Sequence, residues 1–194
     1  MRTNLKKLGT IAIMLSATLA FTTSCSNNNA DLQAKIDSLE ADLKKYKEAD
    51  ATTEARLKKF DTLDFDFYTN QKWNQFDESH TEDIKVYNAD GSITEGLHPG
   101  HINDLKPMFV FAPDTRIEKH PVKFGNGEWT AVIGELQGTF TQPMPIGGGK
   151  TIAPTGKKFK LRMATIGHWK EGKMDEEYLF YDNQEFMKQI GLAQ

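Results

Sequence analysis

Residues 158–191 read KFKLRMATIGHWKEGKMDEEYLFYDNQEFMKQIG. Two strand-like, aromatic-rich runs flank Glu171-Gly172, and this pattern predicts an antiparallel hairpin followed by a short helix over NQEFMKQIG, with Asp182 as its cap. A turn at Glu171-Gly172 sets Thr165 opposite Leu179 and Met163 opposite Tyr181. Successive strand side chains alternate faces, so Met163, Thr165, Gly167 and Trp169 are predicted to share a face with Asp175, Glu177, Leu179 and Tyr181. Ala164, Ile166 and His168 share the other with Met174, Glu176, Tyr178 and Phe180. The three consecutive acids are thereby divided between the two faces.

Working back along the chain, residues 115–140, TRIEKHPVKFGNGEWTAVIGELQGTF, form a second hairpin pattern around Gly125-Asn126-Gly127, since Asn-Gly is the strongest short-range hairpin signal. Between the hairpins, QPMPIGGGKTIAPTG reads as a loop, and its triple glycine opens no helix on which a phosphate could sit. EDIKVYNADG predicts a short strand ending in a turn. HPGHINDLKPMFVFAPDT predicts a helix broken by Pro107 and stopped by Pro113. ARLKKFDTLDFDFYTNQKWNQFDESH, with Leu57, Phe60, Leu63, Phe67 and Trp73 near helical spacing, predicts one amphipathic helix and a short second one. Helices first and hairpins after make an α+β chain whose curved antiparallel sheet wraps over its N-terminal helices.

The first 24 residues place Arg2, Lys6 and Lys7 ahead of an apolar run from Leu8 to about Phe21, too short to span a bilayer comfortably, and are read as a secretory signal. Thr22-Thr23-Ser24-Cys25 resembles a bacterial lipoprotein cleavage box, with Thr22 where Leu is usual. Cys25 is the only cysteine, so it has no intramolecular disulfide partner, and its lipidation is expected to anchor an exported chain to a membrane, at the periplasmic face or the cell surface. Loss of the signal takes Lys and Arg from 24 to 21 against 27 Asp and Glu, moving the net charge from -3 to -6. An acidic chain with no basic stripe argues against nucleic acid as a partner. Residues 25–55 are rich in Ala, Leu, Lys and Glu, with Leu32, Ile36, Leu39, Leu43 and Tyr46 in a heptad seam interrupted at Asp50 and Thr53. They are read as a helical spacer or short coiled coil, and residues 56–194 as the globular domain.

Several short stretches carry a family resemblance: Glu95-Gly96, Phe111-Ala112-Pro113-Asp114, Gly138-Thr139-Phe140, Pro154-Thr155-Gly156-Lys157, Gly172-Lys173-Met174 with Glu176-Glu177, and Gln189-Ile190-Gly191-Leu192. In this order and spacing, residues 57–192 resemble the SnoaL-like branch of the nuclear transport factor-like folds, which includes polyketide cyclases. The resemblance implies a cone-shaped α+β fold whose mouth holds a small, mostly apolar ligand, in a family that often forms dimers. The Asp, His and Gln of the cyclases fall on Leu179, Thr165 and Met163, so the cyclase acid/base set is replaced.

Glu177 is the remaining catalytic candidate, because burial among apolar groups on the cavity face would raise its pKa. Met163, Thr165, Trp169, Leu179, Tyr181 and Tyr87 are expected to bind a small apolar or aromatic molecule, with Tyr68 and Phe140 nearby. His98 and His101 flank Pro-Gly with no third ligand in view, so neither metal nor cofactor is expected. His120 is expected to pair with Glu118 at the surface, and His168 to serve packing or a partner. Three readings stand: a tethered binding module; an isomerase, cyclase-like enzyme or hydrolase with Glu177 as base; or a structural protein.

Overall fold

The structure is a computed structural model that describes residues 6–193, with side chains from residue 29 onward. The expected signal (1–24) and the lipidation position Cys25 lie outside the residues whose side chains are described. Two compact units divide the chain, Met1–Glu48 and Ala49–Gln194. In the first, the described residues belong to helix α1 (Lys6–Thr62), and the heptad positions Leu32, Ile36, Leu39, Leu43 and Tyr46 all face solvent. Among the described residues, no helix is long and apolar enough to cross a membrane.

In the second unit α1 continues through Asp50 and Thr53, where the heptad seam lapses but the helix does not. The Thr53 hydroxyl donates to the carbonyl of Ala49 one turn back, which satisfies it inside the helix. A wider π-type turn (Leu63–Tyr68) and a 3-10 turn (Trp73–Glu78) lead into β1 (His80–Tyr87) and β2 (Ile93–Glu95). An irregular turn, Leu97–His101, opens α2 (Ile102–Phe111), which runs through Pro107 where a break was expected; the buried Ile102, Phe109 and Phe111 hold it against the core. Then follow β3 (Arg116–Ile117), β4 (Val122–Asn126), β5 (Trp129–Thr139), the small pair β6 (Met144–Pro145) and β7 (Thr151–Ile152), β8 (Lys158–Lys170), β9 (Lys173–Phe180) and α3 (Asn183–Gln189).

The main sheet has the order β2-β1-β9-β8-β5-β3, with β4 also on β5. The sheet is mixed, because β1 and β9 run parallel. Both predicted hairpins are present, β4–β5 and β8–β9. The second turns at Glu171 and Gly172, both with positive φ (51° and 83°), and Thr165 stands opposite Leu179 as expected. One detail of the face assignment is corrected. The register shifts between His168 and Trp169, which pair with Glu176 and Met174, so Asp175 is an extra residue in β9. This bulge turns Met174 inward and Asp175 outward, the reverse of strict alternation.

The inner face carries the core. Trp169, Met174, Phe60, Phe76, Ile84, Val86, Phe140 and Phe159 are fully or almost fully buried. Phe60 of α1 meets Trp169 edge-on at 6.3 Å between ring centres, so the end of the helix lies directly against the hairpin that brings in Glu177. Asp182 caps α3 by accepting from the amide of Glu185 at 2.9 Å, as expected.

Candidate active site

A wide, solvent-open cavity of about 420 Å³ lies between α2, the loop after β1 and the inner face of the sheet. Tyr68, His101, Leu105, Met163 and Leu179 line it and also a narrower chamber of about 50 Å³ beneath, which adds Asp64, His80, Thr165 and Glu177. The upper part suits a small organic molecule in size. The chamber holds little more than the volume of a water or two. Its wall is largely apolar, with Leu63, Ile117 and Leu179 among the lining residues, and carries two carboxyls, Asp64 and Glu177.

Of the expected ligand-binding residues, Met163, Thr165 and Leu179 line both or one of these spaces, and Tyr181 lies at the mouth. Two belong elsewhere. Trp169 is completely buried, donates its indole N–H to Thr130 Oγ1 at 2.7 Å and is a core residue. Tyr87 lies on the outer face, stacked at 4.3 Å on Tyr178, because β1 pairs with β9 in a register that puts Val86, and not Tyr87, on the inner side with Glu177. Phe140 is likewise core.

Glu177 is buried at the chamber floor, as its face assignment required, but in other company than expected. His101 Nε2 stands 3.2 Å from its Oε2 and His80 Nε2 3.8 Å, both imidazoles being buried. Burial opposes the charge of Glu177, yet the two imidazoles outweigh it and hold the carboxyl well below the usual range, the opposite of the expected rise. His80 reaches this point because it is the first residue of β1 on the same face as Ile84 and Val86. His101 reaches it because the turn Leu97–His101 directs its ring inward, leaving His98 exposed. Despite these approaches Glu177 Oε2, His80 Nε2 and His101 Nδ1 lack any hydrogen-bond partner. Orphaned buried polar atoms cost about 1–3 kcal/mol each, and three gathered at one cavity floor single it out as the candidate site.

The second carboxyl, Asp64, sits on the turn after α1. His120 Nε2 is 2.7 Å from its Oδ2, and His120 Nδ1 is 2.8 Å from Asp61 Oδ1, whose other oxygen meets Lys123 Nζ. His120 is therefore a buried bridge between two carboxylates, and its expected pairing with Glu118 is corrected: Glu118 bonds Arg116 and Gln137 instead. Burial drives the pKa of Asp64 up, above its ordinary 3.8, in spite of His120. For His120, burial works against the charge, but Asp64 and Asp61 outweigh it and its pKa rises above 6.5. Burial also pushes the Tyr68 phenol far above its ordinary range, so it stays a proton donor at the cavity wall. His168 lies on the outer face 2.6 Å from Asp175.

Asp64 and His80 were missed in the sequence, although each left a trace. Asp64 follows Leu57 and Phe60 at seven and four residues, an acid on an apolar helical stripe. His80 precedes Ile84 and Val86 at even spacing, a polar residue on an apolar strand face.

With this geometry in view, the comparison with known proteins is decisive for the family. The sequence profile described as SnoaL-like polyketide cyclase matches residues 61–190. The chain belongs to that family. No curated protein sequence matches it significantly. Among solved structures it resembles a candidate SnoaL-like polyketide cyclase from Jannaschia sp. CCS1, with 17% identity, a TM-score of 0.62, and coverage of 73% of this chain and 95% of that one. IdmH, a candidate polyketide cyclase from Streptomyces antibioticus, is 17% identical at a TM-score of 0.59, covering 70% and 98%. A candidate polyketide cyclase from Xanthomonas campestris pv. campestris is 14% identical at 0.60, covering 72% and 99%. At these identities the likeness concerns the fold.

Proposed function

We propose that this SnoaL-like chain is an enzyme that transfers a proton on a small carbonyl compound with an apolar body, an isomerase- or cyclase-type reaction. One observation carries the reading: Asp64, at the chamber floor, is linked through His120 to the half-exposed edge of the domain at Asp61 and Lys123. A carboxyl whose pKa is lifted above its ordinary value is a serviceable proton carrier, whereas one held as low as Glu177 is a weak base. Glu177 with its two imidazoles is then the fixed charge that orients the polar end of the substrate. Tyr68, still protonated, supports a developing oxyanion, and Met163, Leu105 and Leu179 hold the apolar body.

The test is deuterium uptake at the α-carbon of enolisable ketones and β-dicarbonyls in D2O, followed by proton NMR. Wild-type chain should catalyse uptake for at least one of them, and Asp64→Asn should lower the rate by about 10²–10⁴-fold, the usual worth of a positioned acid/base. An equal rate in wild type and Asp64→Asn overturns the reading.

The apolar wall favours a second reading, capture of an apolar or aromatic molecule without turnover. It predicts binding that survives Asp64→Asn and Glu177→Gln, with no uptake by any of the three proteins. Membrane tethering through Cys25 completes the proposal. Its support is the sequence around Cys25, and Cys25→Ser should move the protein from membranes into the soluble fraction.

A further inference from the structure

We infer that His80, His101 and Glu177 form a binding site for a divalent transition-metal ion at the floor of the chamber. The site stands on its own geometry; its catalytic use rests on the proton-transfer reading, which it deepens by naming the electrophile that would polarise the substrate carbonyl.

Four observations converge. One ligand atom from each residue lies within 4.8 Å of both others, and all three residues are buried. The two approaches to Glu177 Oε2, 3.2 and 3.8 Å, bracket the separation of neighbouring ligands around one tetrahedral ion, about 3.3–3.6 Å when metal–nitrogen and metal–oxygen bonds are about 2.0–2.2 Å. Next comes the tautomer of His80. Its Nδ1 lies 3.1 Å from the carbonyl of Phe76 and 3.0 Å from Ser79 Oγ, and the Ser79 hydroxyl itself donates to that same carbonyl. A carbonyl only accepts, so Nδ1 carries a proton. In the neutral ring Nε2 therefore presents its lone pair to a carboxylate oxygen. The 3.8 Å between this nitrogen and Glu177 Oε2 is too wide for a hydrogen bond whether or not the ring is charged, and a metal ion between them would satisfy both atoms.

A histidine whose outer nitrogen donates to a backbone carbonyl while its inner one stays free is arranged as metal-ligating histidines are. The last observation is access. The same chamber adjoins Thr165 and Asp64, so three protein ligands leave a coordination position open to water or a carbonyl oxygen. Two imidazoles and one carboxylate suit zinc or ferrous iron, and not calcium or magnesium, which take oxygen ligands. The expectation of no metal rested on the missing third ligand to the HPGH stretch. His101 has that company from β1 and β9, over twenty and over seventy residues away in the sequence.

The experiment is calorimetric titration of Zn²⁺ into the full chain, prepared without a histidine tag and stripped with a chelator. One equivalent should bind with submicromolar Kd. Glu177→Gln and His101→Gln should each weaken binding at least 100-fold, and His168→Gln, at the outer-face His168–Asp175 pair, should leave it unchanged. No binding, or binding abolished by His168→Gln and untouched by the other two, overturns the site. Long-range ¹H–¹⁵N NMR of wild-type imidazoles keeps the proposal testable if the buried variants fail to fold. Zn²⁺ should shift Nε2 of His80 and a ring nitrogen of His101, and unchanged signals overturn it. Deuterium uptake without any Zn²⁺ binding removes the metal site and leaves the proton-transfer reading intact. Zn²⁺ binding with no uptake, with or without the ion, keeps the site and removes that reading.

Discussion

Asp64 and Glu177 lie in one chamber, yet their neighbours push them in opposite directions. Asp64 meets one imidazole already shared with Asp61, and burial prevails; Glu177 meets two, and charge prevails. Position on a face was legible for Glu177 from the hairpin alone. Its pKa was not, because His80 and His101 arrive from elements distant in sequence, and no local pattern encodes that meeting. Gly138 shows the same dependence in packing. A Cβ there would lie 2.7 Å from Cζ of Phe159, its cross-strand partner and a buried ring. Gly138→Ala should therefore lower stability by about 1–3 kcal/mol through overpacking, measured by urea denaturation; an unchanged midpoint would mean that the ring can move aside.

At the scale of elements, the hairpin β8–β9 was the most readable part, since its turn, alternation and register all lie within one short stretch. What escaped was the bulge at Asp175, which depends on how β9 meets both β8 and β1. The parallel β1–β9 pairing escaped too, because a pairing between strands so far apart leaves no turn signal. The hairpin turn itself makes a prediction. Glu171 adopts φ 51° ahead of Gly172 at 83°, a conformation for which Asn-Gly is the preferred pair. Glu171→Asn should raise stability by roughly 0.5 kcal/mol, visible as a higher melting temperature, whereas Gly172→Ala should lower it.

For the whole molecule, the α+β plan and the family were recoverable from the sequence, because helices, hairpins and the scattered Gly and Pro stretches fall in an order that few folds share. Deletion of residues 1–48 should leave the Ala49–Gln194 unit folded, since that unit carries its own contacts between α1 and the sheet, at Thr53 against Gly125 and Arg56 on the carbonyl of Gly127. A large drop in its melting temperature would show that the boundary lies elsewhere.

Stability should also follow pH through His120, which faces Asp61 from α1, Asp64 from the following turn and, through Asp61, Lys123 from β4. Its folded pKa lies above the unfolded 6.5, so its contribution is fully present below 6.5 and is lost as pH rises through the folded value. Asp64, also raised, acts in the same sense over a window that opens at 3.8. The melting temperature should thus fall as pH increases above 6.5, and His120→Gln should flatten that slope.

The central claim is that Asp64 is the proton carrier of the chamber, its pKa raised above the ordinary value by burial. Carbon-13 NMR of the aspartate carboxyls across a pH titration of the full chain tests it directly. The account predicts an Asp64 midpoint clearly above 3.8, moved by His120→Gln; a midpoint at or below 3.8 would contradict it.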